Sequence, residues 1–174
     1  MVLVSIVKAL LPIGSALLML IGQANPFVQG QMTLTQLDQP SSLFGSQLYV
    51  PGGPDQIDTY RLRLGGPVDS TRAGLYVTNF DSRAAGSSPV CTAPDPSAGF
   101  DITITEGGDQ LYQGTLSALA QAHSSPQSLL PLASGHLARG SVTTVSVALH
   151  LDQAAGNDYM GCSVSASLAW YAAQ

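Results

Sequence analysis

Histidines and acidic residues are the side chains of this sequence that could carry out chemistry. His123, His136 and His150 are scattered, and neither they nor the two cysteines show the short spacings that bind zinc. No Gly-x-Ser-x-Gly or His-Glu-x-x-His motif occurs. Glu106, the single glutamate, is better explained as a hairpin-turn residue than as half of a glycosidase pair. We therefore expect no catalytic residue, no cofactor and no metal.

A loop rich in oxygen ligands and a set of aromatic residues offer two further possibilities. Asp152, Asn157 and Asp158 share one loop, but their spacing matches no calcium-binding loop, so a solvated turn is the better interpretation. The tyrosines and Trp170 could form a platform on which sugar rings stack. Most of these aromatics occupy the inward positions of predicted strands, which favours core packing instead.

The two cysteines favour a disulfide. In an exported chain such a pair is more often bonded than free. Cys162 shares its parity with Val164, Leu168 and Trp170 and so points inward, while Cys91 lies in a loop rich in Ser and Pro. We expect a Cys91–Cys162 bond, with a thiol pair or an intermolecular bond as the alternative.

Residues 1–24 have the features of a secretory signal peptide. Lys8 precedes an apolar run from Ala9 to Gly22, and Ala24 offers a small residue for cleavage. The run is shorter than the roughly 20 residues of a spanning helix, which makes a membrane anchor the weaker alternative. We expect a secreted or cell-surface protein with no membrane span after cleavage.

Charge excludes one class of partner. After residue 24 the chain has no lysine, five arginines and eleven acidic residues. Such an acidic surface disfavours binding to nucleic acid or to anionic lipid.

Apolar residues at every second position predict β-strands along most of the remaining chain. The segments 59–64, 75–80 and 100–105 show this pattern, and a Gly-Gly turn joins the last of them to 111–116 as a hairpin. Residues 116–122 are the only place where a short helix can form.

The runs 145–151 and 162–170 have the clearest alternation, and a loop rich in Gly, Asn and Asp separates them. We expect these two runs to form a long hairpin at the centre of the fold.

Seven to nine short strands with almost no helical periodicity predict an all-β, two-sheet sandwich. Jelly-roll connectivity is the preferred topology, and an immunoglobulin-like Greek key is the alternative. The sandwich domain would cover residues 38–174, preceded by a strand within 25–37.

Several motifs resemble those of a known family. They are the Pro-Gly turn at 51–54 before a Thr/Arg-bearing strand, the hairpin Gly-Gly-Asp-Gln-Leu-Tyr-Gln-Gly-Thr-Leu at 107–116, the segment 137–147, and Ala-Ala-Gly-Asn-Asp-Tyr-Met-Gly-Cys-Ser-Val at 154–164. In this order, and with a Trp-containing strand after them, they resemble the TasA/camelysin family of secreted biofilm-matrix proteins. The metalloprotease activity of some relatives has no supporting ligands here.

The resemblance implies a jelly-roll subunit of an extracellular fibre. Subunits would assemble by donor-strand complementation, in which the segment exposed by signal cleavage adds as a strand to a neighbouring subunit. The donor would be residues 25–37, through the apolar side chains of Phe27, Val28, Met32, Leu34 and Leu37. The alternative for this segment is pairing within its own domain.

The partner implied by the resemblance is the protein itself, with matrix polysaccharide as a further candidate. A monomeric surface module that binds carbohydrate or protein is the alternative function. A hydrolase or inhibitor is the least favoured.

Overall fold

Two antiparallel sheets form the protein in this computed structural model, which describes residues 32–37, 49–83 and 87–174. The strands are β1 (Thr33–Gln36), β2 (Gln56–Gly65), β3 (Arg72–Asp81), β4 (Phe100–Glu106), β5 (Asp109–Thr115), β6 (Leu130–Pro131), β7 (Val142–Leu151) and β8 (Ser165–Ala173). One sheet has the order β1-β2-β7-β4-β5 and the other the order β6-β3-β8. The expected all-β sandwich of two sheets is therefore confirmed at this level.

The core lies between the sheets and is built by the alternation seen in the sequence. On β2 the buried residues are Asp58, Tyr60, Leu62 and Leu64, and the residues between them are exposed. Buried and outward-facing residues alternate in the same way on β4 and β7. The buried side chains of the three strands form one hydrophobic cluster, to which the opposite sheet contributes Leu75, Val77 and Leu168. Each fully buried aliphatic side chain of this kind contributes about 2 kcal/mol to stability.

The hairpin predicted around Gly107 and Gly108 is confirmed. β4 and β5 pair antiparallel, and both glycines have positive φ, of 59° and 102°, which a side chain would strain. The chain then enters α1 (Leu116–Ala122), whose first turn is capped by the Thr115 hydroxyl accepting from the Ala118 N–H. The predicted short helix is confirmed as well.

The expected hairpin of 145–151 with 162–170 is wrong. β7 lies in the five-stranded sheet between β2 and β4, whereas β8 pairs with β3 in the other sheet. The segment between them, which contains a short 3-10 helix at Asn157–Tyr159, crosses from one sheet to the other. Alternation shows that a segment is a strand with one buried side, but it does not identify the neighbouring strand.

Glu106 is the last residue of β4 and flanks the turn of the hairpin, as expected, but its side chain is buried at 9% exposure. Its carboxylate accepts from the backbone N–H of Ala133 at 2.6 Å and from the hydroxyl of Thr143 at 2.5 Å. It therefore joins β4 to β7 and to the loop that follows β6.

Asp95 holds together the connection between β3 and β4. Its carboxylate accepts from the N–H of Ser97 at 3.1 Å, at the start of the 3-10 helix Pro96–Gly99, and from the hydroxyl of Ser117 on α1 at 2.7 Å. Burial raises the pKa of this carboxyl, but the hydrogen bonds from Ser97 and Ser117 outweigh burial and leave the pKa below its usual value.

β3 and β6 approach each other closely at Gly74. A β-carbon placed on Gly74 would lie 2.3 Å from the carbonyl oxygen of Leu130, so no larger residue fits without moving the backbone. This close approach lets the two-residue β6 pair with β3 at Gly74 and Leu75.

Candidate assembly site

β1 contains the described part of the expected donor segment, and it lies at the edge of the five-stranded sheet. Among the strands that the structure describes, it pairs antiparallel with β2 alone, with Thr33 opposite Gly65 and Gln36 opposite Leu62. The pairing continues past the strand, since the N–H of Leu37 donates to the carbonyl of Arg61 at 2.8 Å. In this structure residues 33–37 of the donor segment therefore pair within their own subunit.

The five residues expected to act in the donor segment have different positions. Met32 and Leu34 are partly buried and pack against the core, while Leu37 is 42% exposed. Phe27 and Val28 lie outside the residues that the structure describes. The alternation of β1 thus places Met32 and Leu34 inward, with Thr33 and Thr35 exposed on the other side.

The two flanks of the sandwich are closed differently. On the flank formed by β5 and β6, α1 packs against β3, β4 and β5, and its Leu116 and Leu119 are fully buried. On the opposite flank β1 contacts β8, the edge strand of the smaller sheet. A seven-residue helix thus closes one side, and a four-residue strand covers the other.

The core-facing residues of β2 that lie beside β1 are apolar and buried. Leu62 and Leu64, which stand opposite β1 on β2, are 1% and 0% exposed. Farther along β2, Tyr60 packs on Trp170 of β8 with ring centroids 5.2 Å apart, which joins the two sheets. Burial, and next the negative charge of Asp58, raise the pKa of Tyr60 well above its usual value, so the phenol stays neutral.

Gly65, the last residue of β2, also belongs to this site, although its sequence context alone does not predict that role. A β-carbon there would lie 2.6 Å from the Thr33 hydroxyl oxygen, so the absence of a side chain lets β1 approach β2 at this end. The sequence signal was the Gly-Gly-Pro run after β2, which equally describes a turn.

β8 adds a second open edge on the same flank. It runs for nine residues, Ser-Ala-Ser-Leu-Ala-Trp-Tyr-Ala-Ala, without a charge or a proline. Among the described strands only β3 pairs with it. Charges and prolines are the usual protection of an edge strand against pairing with another chain.

The disulfide expected between Cys91 and Cys162 is confirmed, with an S–S distance of 2.01 Å. Cys91 is 5% exposed in the β3–β4 connection, and Cys162 follows the 3-10 helix in the β7–β8 connection. Backbone N–H groups of Thr92 and Ala93 both donate to the Asp158 carbonyl beside it at 2.9 Å. The bond therefore ties together two connections that cross between the sheets.

The remaining sequence candidates do not form a common site. His150 lies on the outside of the five-stranded sheet, where its Nδ1 is 3.1 Å from a carboxylate oxygen of Asp55 and its Nε2 is 3.5 Å from one of Asp101. Within the described ranges no three His, Cys, Asp or Glu side chains are placed to hold a metal ion, and no helix is long and apolar enough to cross a membrane. All the tyrosines are buried or half-buried.

Comparison with known proteins adds no relative: no family model matches the chain, and no curated protein matches it either.

Proposed function

We propose that this protein is a secreted structural subunit of an extracellular fibre or biofilm matrix. Subunits would join when the 25–37 segment of one chain takes the place of β1 beside β2 of the next. The observation that carries the proposal is β1 itself, a four-residue strand that is paired on one side only within the described ranges and covers the flank beside β8.

Exchange of β1 between subunits costs little because the same contacts form in both states. Leu34 lies opposite Leu64 within one subunit, and the Leu34 of a neighbour would meet the same residue in a fibre. Strand addition gains affinity from main-chain hydrogen bonds, and alternating side chains set its register. When each subunit donates its strand to one neighbour and accepts a strand from another, the exchange is head-to-tail and grows an open chain.

The connection from β1 to β2 is long enough for this exchange. Gln36 and Gln56, the end of β1 and the start of β2, are separated by 19 residues. A chain of that length spans at most about 65 Å when fully extended, which exceeds the diameter of a domain of this size. A two-residue hairpin loop would have held β1 to its own β2.

Three further features agree with the proposal. The resemblance of the motifs at 107–116 and 154–164 to the TasA/camelysin family implies the same mode of assembly and a jelly-roll connectivity. The Cys91–Cys162 disulfide is of the kind that persists in oxidising compartments outside the cell. The signal peptide expected at 1–24 would expose the donor segment on cleavage.

A disulfide lock between β1 and β2 tests the proposal. Thr35 and Arg63 are opposite each other and both exposed, so the double variant Thr35→Cys/Arg63→Cys can form a bond across the pair. If it is oxidised before assembly, we expect the locked subunit to form no fibres on negative-stain grids. If it is oxidised after assembly, the bond should link different chains and give a ladder on a non-reducing gel.

The control is Thr59→Cys/Ser146→Cys, which joins β2 to β7 on the same face of the sheet at a pair whose hydroxyl oxygens are 3.4 Å apart. This bond does not prevent β1 from dissociating from its own β2, so fibres should form as in the unmodified chain. Fibres from the pre-locked Thr35→Cys/Arg63→Cys subunit would refute exchange of β1, and so would a protein that stays monomeric at high concentration without any lock.

A further inference from the structure

The outer face of the five-stranded sheet, on the side away from the core, has a regular arrangement of side chains. We define the outer face by the outward residues of β2, β7 and β4, together with Asp55 just before β2. In strand order these residues are Asp55, Ile57, Thr59, Arg61 and Arg63; Val142, Thr144, Ser146, Ala148 and His150; and Asp101, Thr103 and Thr105. Small and β-branched side chains fill its middle, and the charged ones lie at its two ends.

The two ends carry opposite charge. At one end Asp55 and Asp101 flank His150, so this end is negative whether or not the imidazole is protonated. At the other end Arg61 and Arg63 project from β2.

The charges are placed symmetrically about the middle of the face. Asp55 precedes Thr59 by four positions and Arg63 follows it by four, and Thr59 pairs with Ser146 at the centre of β7. Two copies can be stacked face to face about a two-fold axis that lies between them. If this axis is perpendicular to the strands and passes over the Thr59–Ser146 pair, Asp55 of each copy lies over Arg63 of the other. We propose that the outer face is an interface between two copies of this chain.

Apolar exposure supports the same occupant. Ile57 and Val142, which are 64% and 48% exposed, both lie on the outer face, one toward each end. The same axis would place Ile57 over the aliphatic stem of Arg61 of the other copy, and Val142 over its His150 ring. These contacts would remove from water two of the most exposed aliphatic side chains in the described part of the chain.

The size of the face suits a weak, concentration-dependent dimer. Three strands at about 4.8 Å spacing and ten residues of about 3.4 Å give a flat area of about 490 Å² on each copy. A face-to-face pair would bury about 980 Å² in total, which is below the range for stable interfaces and typical of transient ones. Packed sheets are rotated by about 30°, which displaces the ends by about 7 Å, and an arginine side chain can span that distance.

This dimer is separate from exchange of β1. The two-fold arrangement closes at two copies, whereas strand exchange grows without limit. The dimer should weaken as salt is added because its end-to-end contacts are ionic and exposed, whereas strand pairing should not.

Charge reversal and charge exchange on the outer face test the proposal. Arg63→Glu and Asp55→Arg each place like charges opposite one another, so each variant should raise the dimer dissociation constant about tenfold or more. The double variant Asp55→Arg/Arg63→Glu restores opposite charges across the axis and should recover most of the affinity. The measurement is sedimentation velocity of the secreted chain across a range of protein and salt concentrations.

Arg72→Glu is the matched control because it makes the same charge change on β3 of the other sheet. It should leave the dissociation constant unchanged, and thermal unfolding should confirm that every variant is folded. The proposal is overturned if the unmodified chain shows no salt-sensitive dimer. It is equally overturned if the double variant is no tighter than the single ones, since that recovery is specific to a two-fold contact.

Discussion

Removing the Cys91–Cys162 disulfide should cost a large share of the folding free energy. The two cysteines are 71 positions apart, and the chain-entropy model gives about 4 kcal/mol for a closed loop of that length. For a chain of about 150 residues this loss corresponds to a fall in melting temperature of about 10–15 °C. The result should appear in both the double variant Cys91→Ala/Cys162→Ala and the unmodified protein after reduction.

Urea unfolding followed by circular dichroism measures this loss. Comparison of the reduced protein with the double variant separates the contribution of the cross-link from that of packing. The reduced protein keeps both sulfur atoms, whereas the double variant also leaves a small cavity at Cys91, which is 5% exposed. The variant should therefore be slightly less stable than the reduced protein. A loss below about 1 kcal/mol in the reduced protein would show that the surrounding hydrogen bonds, and not the cross-link, hold the two crossing connections together.

Other substitutions test single contacts of the fold. Glu106→Ala removes the acceptor that joins two strands to the loop after β6, so we expect the free energy of unfolding in urea to fall by about 1–3 kcal/mol. Glu106→Gln keeps one acceptor oxygen and should lose less. The lowered pKa of Asp95 means that its contribution to stability is complete above about pH 5 and disappears as pH falls through the folded-state pKa. Asp95→Asn should therefore flatten the loss of stability below about pH 5, and an unchanged acid profile would contradict this. Gly74→Ala should lower the free energy of unfolding by about 1–3 kcal/mol because the new β-carbon would meet the Leu130 carbonyl. At Gly140 the space is open but φ is 72°, so Gly140→Ala should cost only the strain of that backbone conformation, about 1 kcal/mol.

The sequence predicts single elements of this fold well because their signals are local. The alternation of Tyr60, Leu62 and Leu64 places these side chains in the core, and the glycines at 107 and 108 specify the turn between β4 and β5. The cysteine pair could be assigned from number and compartment alone, since a chain with two cysteines has only one internal pairing.

The pairing of strands that are far apart in the sequence could not be predicted in the same way. β7 and β8 have the alternation and the intervening glycine loop of a hairpin, yet they belong to opposite sheets because each finds its neighbours far away in the chain. The burial of Glu106 was missed for a related reason, since its two hydrogen-bond partners lie 27 and 37 positions later. For the candidate assembly site, the sequence indicated Met32 and Leu34 but not the role of Gly65.

The pairing of β3 with β8 has a consequence for folding. Arg72 is opposite Ala173 and Val77 is opposite Leu168, so the smaller sheet consists of contacts between residues very far apart in the chain. Closing such loops is slow, because the entropy is lost before any contact compensates for it. During synthesis β3 would emerge long before its partner, with Leu75 and Val77 exposed to solvent and to other chains. The smaller sheet therefore cannot form until β8 has been synthesised, and until then β3 lacks its longest pairing and can associate with other chains.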